Sequence, residues 1–277
     1  MTTTIQEDEK YPIHPQVQYL LSLPQYEQRT PEWFAQREGC LTGSLIDTVL
    51  GDNPYQQPID VLFNKCGISD GFNGNEATRH GNRFEDDAIA LYNYFHNKKT
   101  FSFGLLPHPE IKFLAGSPDD ITHDGILLEV KCPMYRKIIP GTVPHHYIGQ
   151  VRFNMEVCGL EKAVFIEYKP SEKALNDEDN IFKDVHEPHS GNYELNIVEI
   201  NRDPEWFINA YPKLKKFWDE VIHYRNIGID KHPNHTYMVR KYRDPKKYSL
   251  ITNMIQDESD DDIIKTKCSI EDETDSE

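Results

Sequence analysis

The chain has 277 residues, a net charge of −16 and an aromatic content of 11%, enough apolar material for the core of one large domain or two small ones. No run of eighteen apolar residues occurs, which argues against a membrane span, and Met1–Lys10, with Glu7, Asp8 and Glu9, lacks the apolar centre of a signal peptide. Five scattered cysteines (Cys40, Cys66, Cys132, Cys158 and Cys268) disfavour a zinc ribbon or a disulfide framework and point to a reducing compartment.

Residues 1–28 read as a lead-in in which Pro12, Pro15 and Pro24 confine any helix to about Val17–Leu23. Thr30-Pro31-Glu32 then has the form of a helix start, with a capping hydroxyl, a proline and an acid in the first turn. That helix stops at Gly39. Ser44 is placed to cap a second helix, Leu45–Leu50, ended by Gly51, and Pro58–Cys66 is a third, ended by Gly67. A longer helix, about Glu76–His96, has Phe84, Ala88, Leu91, Tyr92 and Phe95 at helical spacing.

The period then changes. Thr100–Leu106, Lys112–Gly116 and Ile126–Cys132 read as strands, with Asp124-Gly125 as a hairpin turn between the last two. Val143–Cys158 is predicted helical with Gly159 as its stop, and Lys162–Lys169 is a strand with an apolar middle suited to burial on both faces. Pro170–Asn192 is polar and reads as an exposed loop. Tyr193–Asn201 alternates as a strand, and Asp203-Pro204-Glu205 opens a helix to about Tyr224, bent at Pro212. The order implies an α/β fold, a central mixed β-sheet flanked by helices on both faces, over residues 29–226. A basic extension, residues 227–255, follows. Residues 256–277 hold ten acidic and two basic residues, −8 of the total charge, and are expected to be a disordered tail.

The chemistry-bearing stretch is Gly116-Ser117-Pro118-Asp119-Asp120, followed by Leu127-Leu128-Glu129-Val130-Lys131. Strand alternation puts Glu129 and Lys131 on one face and Leu128, Val130 and Cys132 on the other, while a hairpin returns Asp119 beside Glu129. Two carboxylates at one spot repel unless a divalent cation lies between them, and hard oxygen donors suit Mg²⁺ or Mn²⁺. A lysine one step along can hold the attacking water or orient a phosphate, as phosphodiester hydrolysis requires. The ordinary alternative is a solvated cross-strand ion pair. The apolar run around Glu129 weighs against it, because a charge inside such a strand should be paired or metal-bound.

Ser117-Pro118-Asp119 with Glu129-Val130-Lys131 resembles the signature of the PD-(D/E)xK nuclease superfamily. Further collinear segments narrow the likeness: Trp33-Phe34-Ala35-Gln36-Arg37, Leu41-Thr42-Gly43-Ser44, Gly51-Asp52-Asn53-Pro54-Tyr55, Gly81-Asn82-Arg83-Phe84-Glu85 and Tyr147-Ile148-Gly149-Gln150-Val151. From Arg29 to Lys169 the chain resembles the YqaJ-type viral recombinases, the family that includes the phage lambda exonuclease. The resemblance implies metal binding by Asp119, Glu129, the main-chain carbonyl at Val130, and Glu85. It also implies that Lys131 positions the attacking water, that Gln150 sits against the site, and that Arg37 and Ser44 bind a terminal 5′ phosphate. An arginine beside a hydroxyl at a helix start is a sound anion site, and equally an ordinary cap with a surface ion pair. Arg136, Lys137 and Arg240–Lys247 are candidate phosphate contacts or merely solvated charge. His145 and His146 are adjacent on a helix and face different directions. Arg152 stands where the family often has a second glutamine, and the segment beyond Pro170 matches nothing in it.

The expectation is an Mg²⁺-dependent (or Mn²⁺-dependent) deoxyribonuclease, a 5′-to-3′ exonuclease on linear double-stranded DNA in recombination or repair. A structure-specific or restriction-like endonuclease is the first alternative, and a catalytically silent DNA-end-binding scaffold the second; an iron–sulfur nuclease is disfavoured by the cysteine spacing. The partners expected are DNA, then a single-strand annealing recombinase and further copies of the chain, with no membrane. A soluble location inside the cell fits, in cytoplasm or nucleus of a host if the source is viral. The acidic body is compatible with DNA binding only if the basic residues line one groove.

Overall fold

The structure is a computed structural model that describes residues 10–26, 28, 30–69, 74–177, 182–189, 192–243 and 263–264. The acidic tail, apart from the pair 263–264, lies outside the described residues, as do residues 1–9, Arg29 and residues 244–255 of the basic extension.

The N-terminal helices follow their start and stop residues. Helix α1 is Pro15–Ser22 and α2 is Pro31–Glu38, where Thr30 Oγ1 accepts from the Trp33 amide at 3.3 Å. The short strand β1 (Leu41–Thr42) leads into α3 (Gly43–Leu50), closed by Gly51 at φ +89°. Ser44 is therefore not the cap: Thr42 holds that position, because the backbone is already helical at Gly43. Helix α4 (Pro58–Lys65) and α5 (Glu76–His96) follow. Phe84, Ala88, Leu91 and Tyr92 are buried, but Phe95, in the last turn of α5, is exposed.

The stretch from 100 to 116 departs most from expectation. In place of the one strand expected at Thr100–Leu106 there are two short ones in different sheets, β2 (Thr100–Phe101) and β3 (Leu106–Pro107), and the strand expected at Lys112–Gly116 is the shorter β4 (Leu114–Gly116). The hairpin partner of β6 (Ile126–Lys131) is β5 (Asp120–Thr122), immediately after Asp119, and not the 112–116 segment. Gly125 supplies the positive φ, +88°, that the connecting turn needs. Strand β7 (Val143–Pro144) precedes α6 (His145–Cys158), so the helix begins later than the residue pattern indicated. Strand β8 is Lys162–Lys169. Pro170–Asn192 is not a plain exposed loop: helices α7 (Glu172–Asn176) and α8 (Lys183–His186) bury Ala174 and Asp184 against the sheet. Strand β9 (Glu194–Asn201) and the long helix α9 (Pro204–Ile227), which contains Pro212, complete the body, followed by α10 (His235–Arg243). The two-residue strand β10 (Ile263–Ile264) pairs with β7.

Among the described residues the main sheet has the order β2-β5-β6-β8-β9, with β6 and β8 parallel and the other neighbours antiparallel; β1, β4 and β3 form a second sheet. Successive residues of the central strands serve opposite faces. Leu127, Ala163 and Phe165 pack with Val151 and Met155 of α6 and Leu214 of α9; Leu128, Val130, Val164 and Ile166 pack with Phe84, Ala88 and Leu91 of α5. Helices thus cover both faces of a mixed sheet, and the middle of β6, residues 127–130, is buried between them. No described helix is long and apolar enough to cross a membrane. Phe165 is fully buried at the sheet's centre, so Phe165→Ala should lower unfolding stability by about 3–5 kcal/mol in a denaturant titration; a loss below about 1 kcal/mol would contradict this packing.

Candidate active site

The hairpin delivers Asp119 to its expected place. Register pairs Asp120 with Leu128, and the Asp119 carboxylate accepts a hydrogen bond from the Val130 amide at 2.6 Å. Glu129, one residue earlier on β6, has no exposed surface at all. A buried carboxylate is costly unless donors replace its water, and three side chains do so. Lys131 and Gln150 donate to one oxygen, and Asn154 donates to the other at 3.2 Å. Gln150 and Asn154 are one turn apart on α6, so both reach the same carboxylate.

Asn154 fits because nothing competes for its space. A side chain on Gly43 would meet its amide at 2.5 Å, and one on Gly116 at 3.1 Å. Neither glycine has to adopt a special backbone conformation; each permits close approach. Asn154 is a site residue that residue-type reasoning missed. Its signal was present as the four-residue spacing from Gln150.

Glu85 projects from α5 into a cavity of about 300 Å³ bounded by Gly81, Asn82, Val130, Lys131, Arg136 and Tyr147. Burial, then the nearby Asp119 carboxylate, pushes Glu85 up to about 8. Burial, with Asp119 opposing the Lys131 ammonium, pushes Glu129 up to about 7, and burial also raises Asp119. For Lys131, burial works against the charge, but Glu129 and Asp119 outweigh it and hold the amine protonated beyond the usual lysine range. Asp119 and Glu129 from the hairpin and Glu85 from α5 thus lie close enough to perturb one another, with the Lys131 ammonium among them, an excess of negative charge that a hard divalent cation would relieve. The oxygens of Asp119, Glu129 and Glu85 and the Val130 carbonyl are suitable donors. As the side chains stand, no group of three or more His, Cys, Asp or Glu among the described residues forms a ready cation cage. Lys131 supplies the countercharge to Glu129 instead.

The remaining candidates divide. Arg37 Nη2 donates to Ser44 Oγ at 3.2 Å, and the guanidinium lies 4.5 Å from the Trp33 ring centre, so these two residues are in contact. Arg136 lines the cavity, but it also pairs with the buried Glu167, which Asn196 holds at 2.9 Å. Lys137 is exposed. His146 packs against Tyr147 with the rings tilted, 4.2 Å between centres, and burial with the Arg136 charge pushes it down to about 4, leaving it neutral over most of the pH range. Arg152 pairs with Asp203 at 3.1 Å, a link between α6 and α9 and not a glutamine substitute. In the basic extension, Arg240 is exposed and Lys241 pairs with Asp60 at 2.6 Å; residues 244–247 lie outside the described residues.

Residues 32–161 match the family model described as the YqaJ-like viral recombinase domain. An uncharacterized protein, R354, of Acanthamoeba polyphaga mimivirus is 34% identical over 167 residues, 54% of this chain and 30% of that protein. The protein YqaJ of Bacillus subtilis (strain 168) is 27% identical over 147 residues, 50% of this chain and 46% of its own length. The chain therefore spans less than half of either curated relative. Among solved structures, the alkaline exonuclease LHK-Exo from Laribacter hongkongensis aligns with a TM-score of 0.53 at 24% identity, over 72% of this chain and 95% of that one. A second structure of LHK-Exo, in complex with dAMP, gives a TM-score of 0.52 at 22% identity, over 80% and 100% of the two chains. At this identity the likeness establishes a shared fold.

The raised carboxylates set the sign of a pH effect. An unfolded glutamate releases its proton near 4.5, whereas folded Glu85 keeps it to about 8, so the folded state binds more protons in between. The associated stability is present below the lower value and lost as pH rises through the upper one. In chelator, the thermal midpoint should fall from about pH 5 to about pH 8, and Glu85→Gln should flatten the fall. A wild-type midpoint that rises over that interval contradicts the assignment.

Proposed function

We propose, from the match of residues 32–161 to the YqaJ-like viral recombinase domain, that the chain is a divalent-metal-dependent exonuclease. Its substrate is linear double-stranded DNA, one strand of which it digests from a 5′ end in recombination or repair. The observation that carries this reading is the convergence of Asp119, Glu129 and Lys131 at one edge of β6, beside a cavity that Glu85 enters from α5. The fold shared with an exonuclease, one of whose structures is a complex with dAMP, agrees with a DNA substrate.

Asp119, Glu129, Glu85 and the Val130 carbonyl would hold Mg²⁺ or Mn²⁺. When bound, that cation supplies a Lewis acid that eases proton loss from water and offsets charge on the phosphate. The rest is the work of the chain's own groups. Lys131, kept protonated by the two carboxylates, directs an ammonium at the attacking water or a phosphate oxygen. Gln150 and Asn154 fix the Glu129 carboxylate in one orientation, so it does not have to be reoriented during reaction. The cavity wall carries Arg136 and the Tyr147 ring, a cation and an aromatic face suited to a phosphate and the adjoining nucleotide. Arg37 and Ser44 form the site for a terminal 5′ phosphate, which would accept from the guanidinium that now donates to Ser44.

A closed circle offers no end, so the exonuclease and endonuclease readings part on topology. The wild-type chain with Mg²⁺ should digest a 5′-phosphorylated linear duplex and leave a covalently closed circle of the same sequence intact. Asp119→Asn should lower the rate by at least ~100-fold while retaining binding to the duplex end in a mobility-shift assay. Normal digestion by that variant would remove Asp119 from the mechanism, and cleavage of the circle would favour the endonuclease.

A further inference from the structure

Gln150 reaches Glu129 only if α6 sits at the correct depth and rotation, and a side chain from another helix meets α6 at that residue. Asp47 on α3 is 4% exposed. Its two carboxylate oxygens accept separately from consecutive α6 amides, Oδ1 from Gly149 at 3.0 Å and Oδ2 from Gln150 at 2.9 Å. Position 149 has to be glycine for this to occur, since a side chain there would begin 2.4 Å from Asp47 Oδ1. The Asp47 carbonyl in turn accepts from the amides of Asp52 at 2.8 Å and Asn53 at 3.2 Å. That turn leads to Tyr55, whose ring packs edge-on against His146 of α6 at 5.4 Å.

We infer that Asp47 is a positioning residue for the nuclease site: by gripping the Gly149 and Gln150 amides it holds the Gln150 side chain against Glu129. The inference rests on the reading of Glu129 as part of the catalytic centre. A carboxylate gripping two backbone amides fixes both the height and the rotation of the helix, which an apolar contact between α3 and α6 does not. Burial, against the two amides and with Asp52 as the neighbouring carboxylate, pushes Asp47 up to about 7, so its charge is observable as a titration.

The test is a double-mutant cycle of Asp47→Asn and Gln150→Ala, measuring initial digestion rates on a 5′-phosphorylated linear duplex with saturating Mg²⁺. Asp47→Asn alone should lower kcat by about 10-fold with KM for DNA little changed. In the Gln150→Ala background it should lower kcat less than about 2-fold, because the side chain it acts through is gone. Equal losses in both backgrounds would overturn the assignment and leave Asp47 a structural residue. Should Asp47→Asn fail to fold, the wild-type protein carries the test by NMR. The Gly149 and Gln150 amide resonances should titrate together with one midpoint near that of Asp47, and amides indifferent to pH would overturn the proposal. A wild-type chain inactive on every DNA substrate would sink the nuclease reading and this inference with it, whereas an active wild type with additive losses sinks the Asp47 role alone.

Discussion

A single buried charge organises this molecule. Glu129 has no contact with solvent, and its carboxylate is tolerated only because Lys131, Gln150 and Asn154 point their donors at it. Each donor brings an element with it. Lys131 comes from the same strand, and Gln150 and Asn154 from the crossover helix α6, which Asp47 grips from α3. Glycines 43, 116 and 149 leave the room that these side chains occupy. The demand of one carboxylate for hydrogen bonds thus accounts for the close approach of α3, α6 and the sheet at this point.

The second constraint is charge imbalance. Glu85 from α5 and Asp119 and Glu129 from the hairpin crowd together with one ammonium among them, and burial keeps water from screening their repulsion. A fold optimised for stability alone would not retain such a cluster at its centre. The raised proton affinities of these carboxylates reflect a repulsion that a cation would relieve, and one of them, Glu85, lines a cavity, where perturbed groups most often have a chemical task.

Net charge is a poor guide here. The chain is acidic overall, yet Lys131 and Arg136 are gathered around one cavity, and Arg37 is paired with Ser44 at the junction of α2 and α3. Phosphate recognition depends on the local field, and an acidic surface elsewhere repels DNA from unproductive sites. Buried pairing of Arg136 with Glu167 also holds that guanidinium in a fixed position on the cavity wall, at the expense of part of its charge.

Local signals settled the elements whose causes are local. Thr30-Pro31, Asp203-Pro204, Gly51, Gly125 and Gly159 start or stop elements where they stand, because caps, fixed φ and positive φ act within a few residues. Alternation along Leu127–Lys131 likewise placed Glu129 and Lys131 on one face and Val130 on the other. What remained to tertiary structure was everything set by neighbours distant along the chain. Residues 100–107 are divided between two sheets because β2 pairs with β5 and β3 with β4, and those partners belong to different sheets. Helices α7 and α8 exist where polar composition indicated loop, since the buried Asp184 carboxylate accepts from both the amide and the hydroxyl of Ser171. Asn154 and Asp47 are ordinary polar residues in the sequence, and only the packing of α6 between α3 and β6 turns them toward Gly149 and Glu129. Spacing along a strand or helix is a one-dimensional property that residue order determines by itself; a hydrogen bond spanning 102 residues, as from Gly149 to Asp47, exists only once burial has brought both ends together.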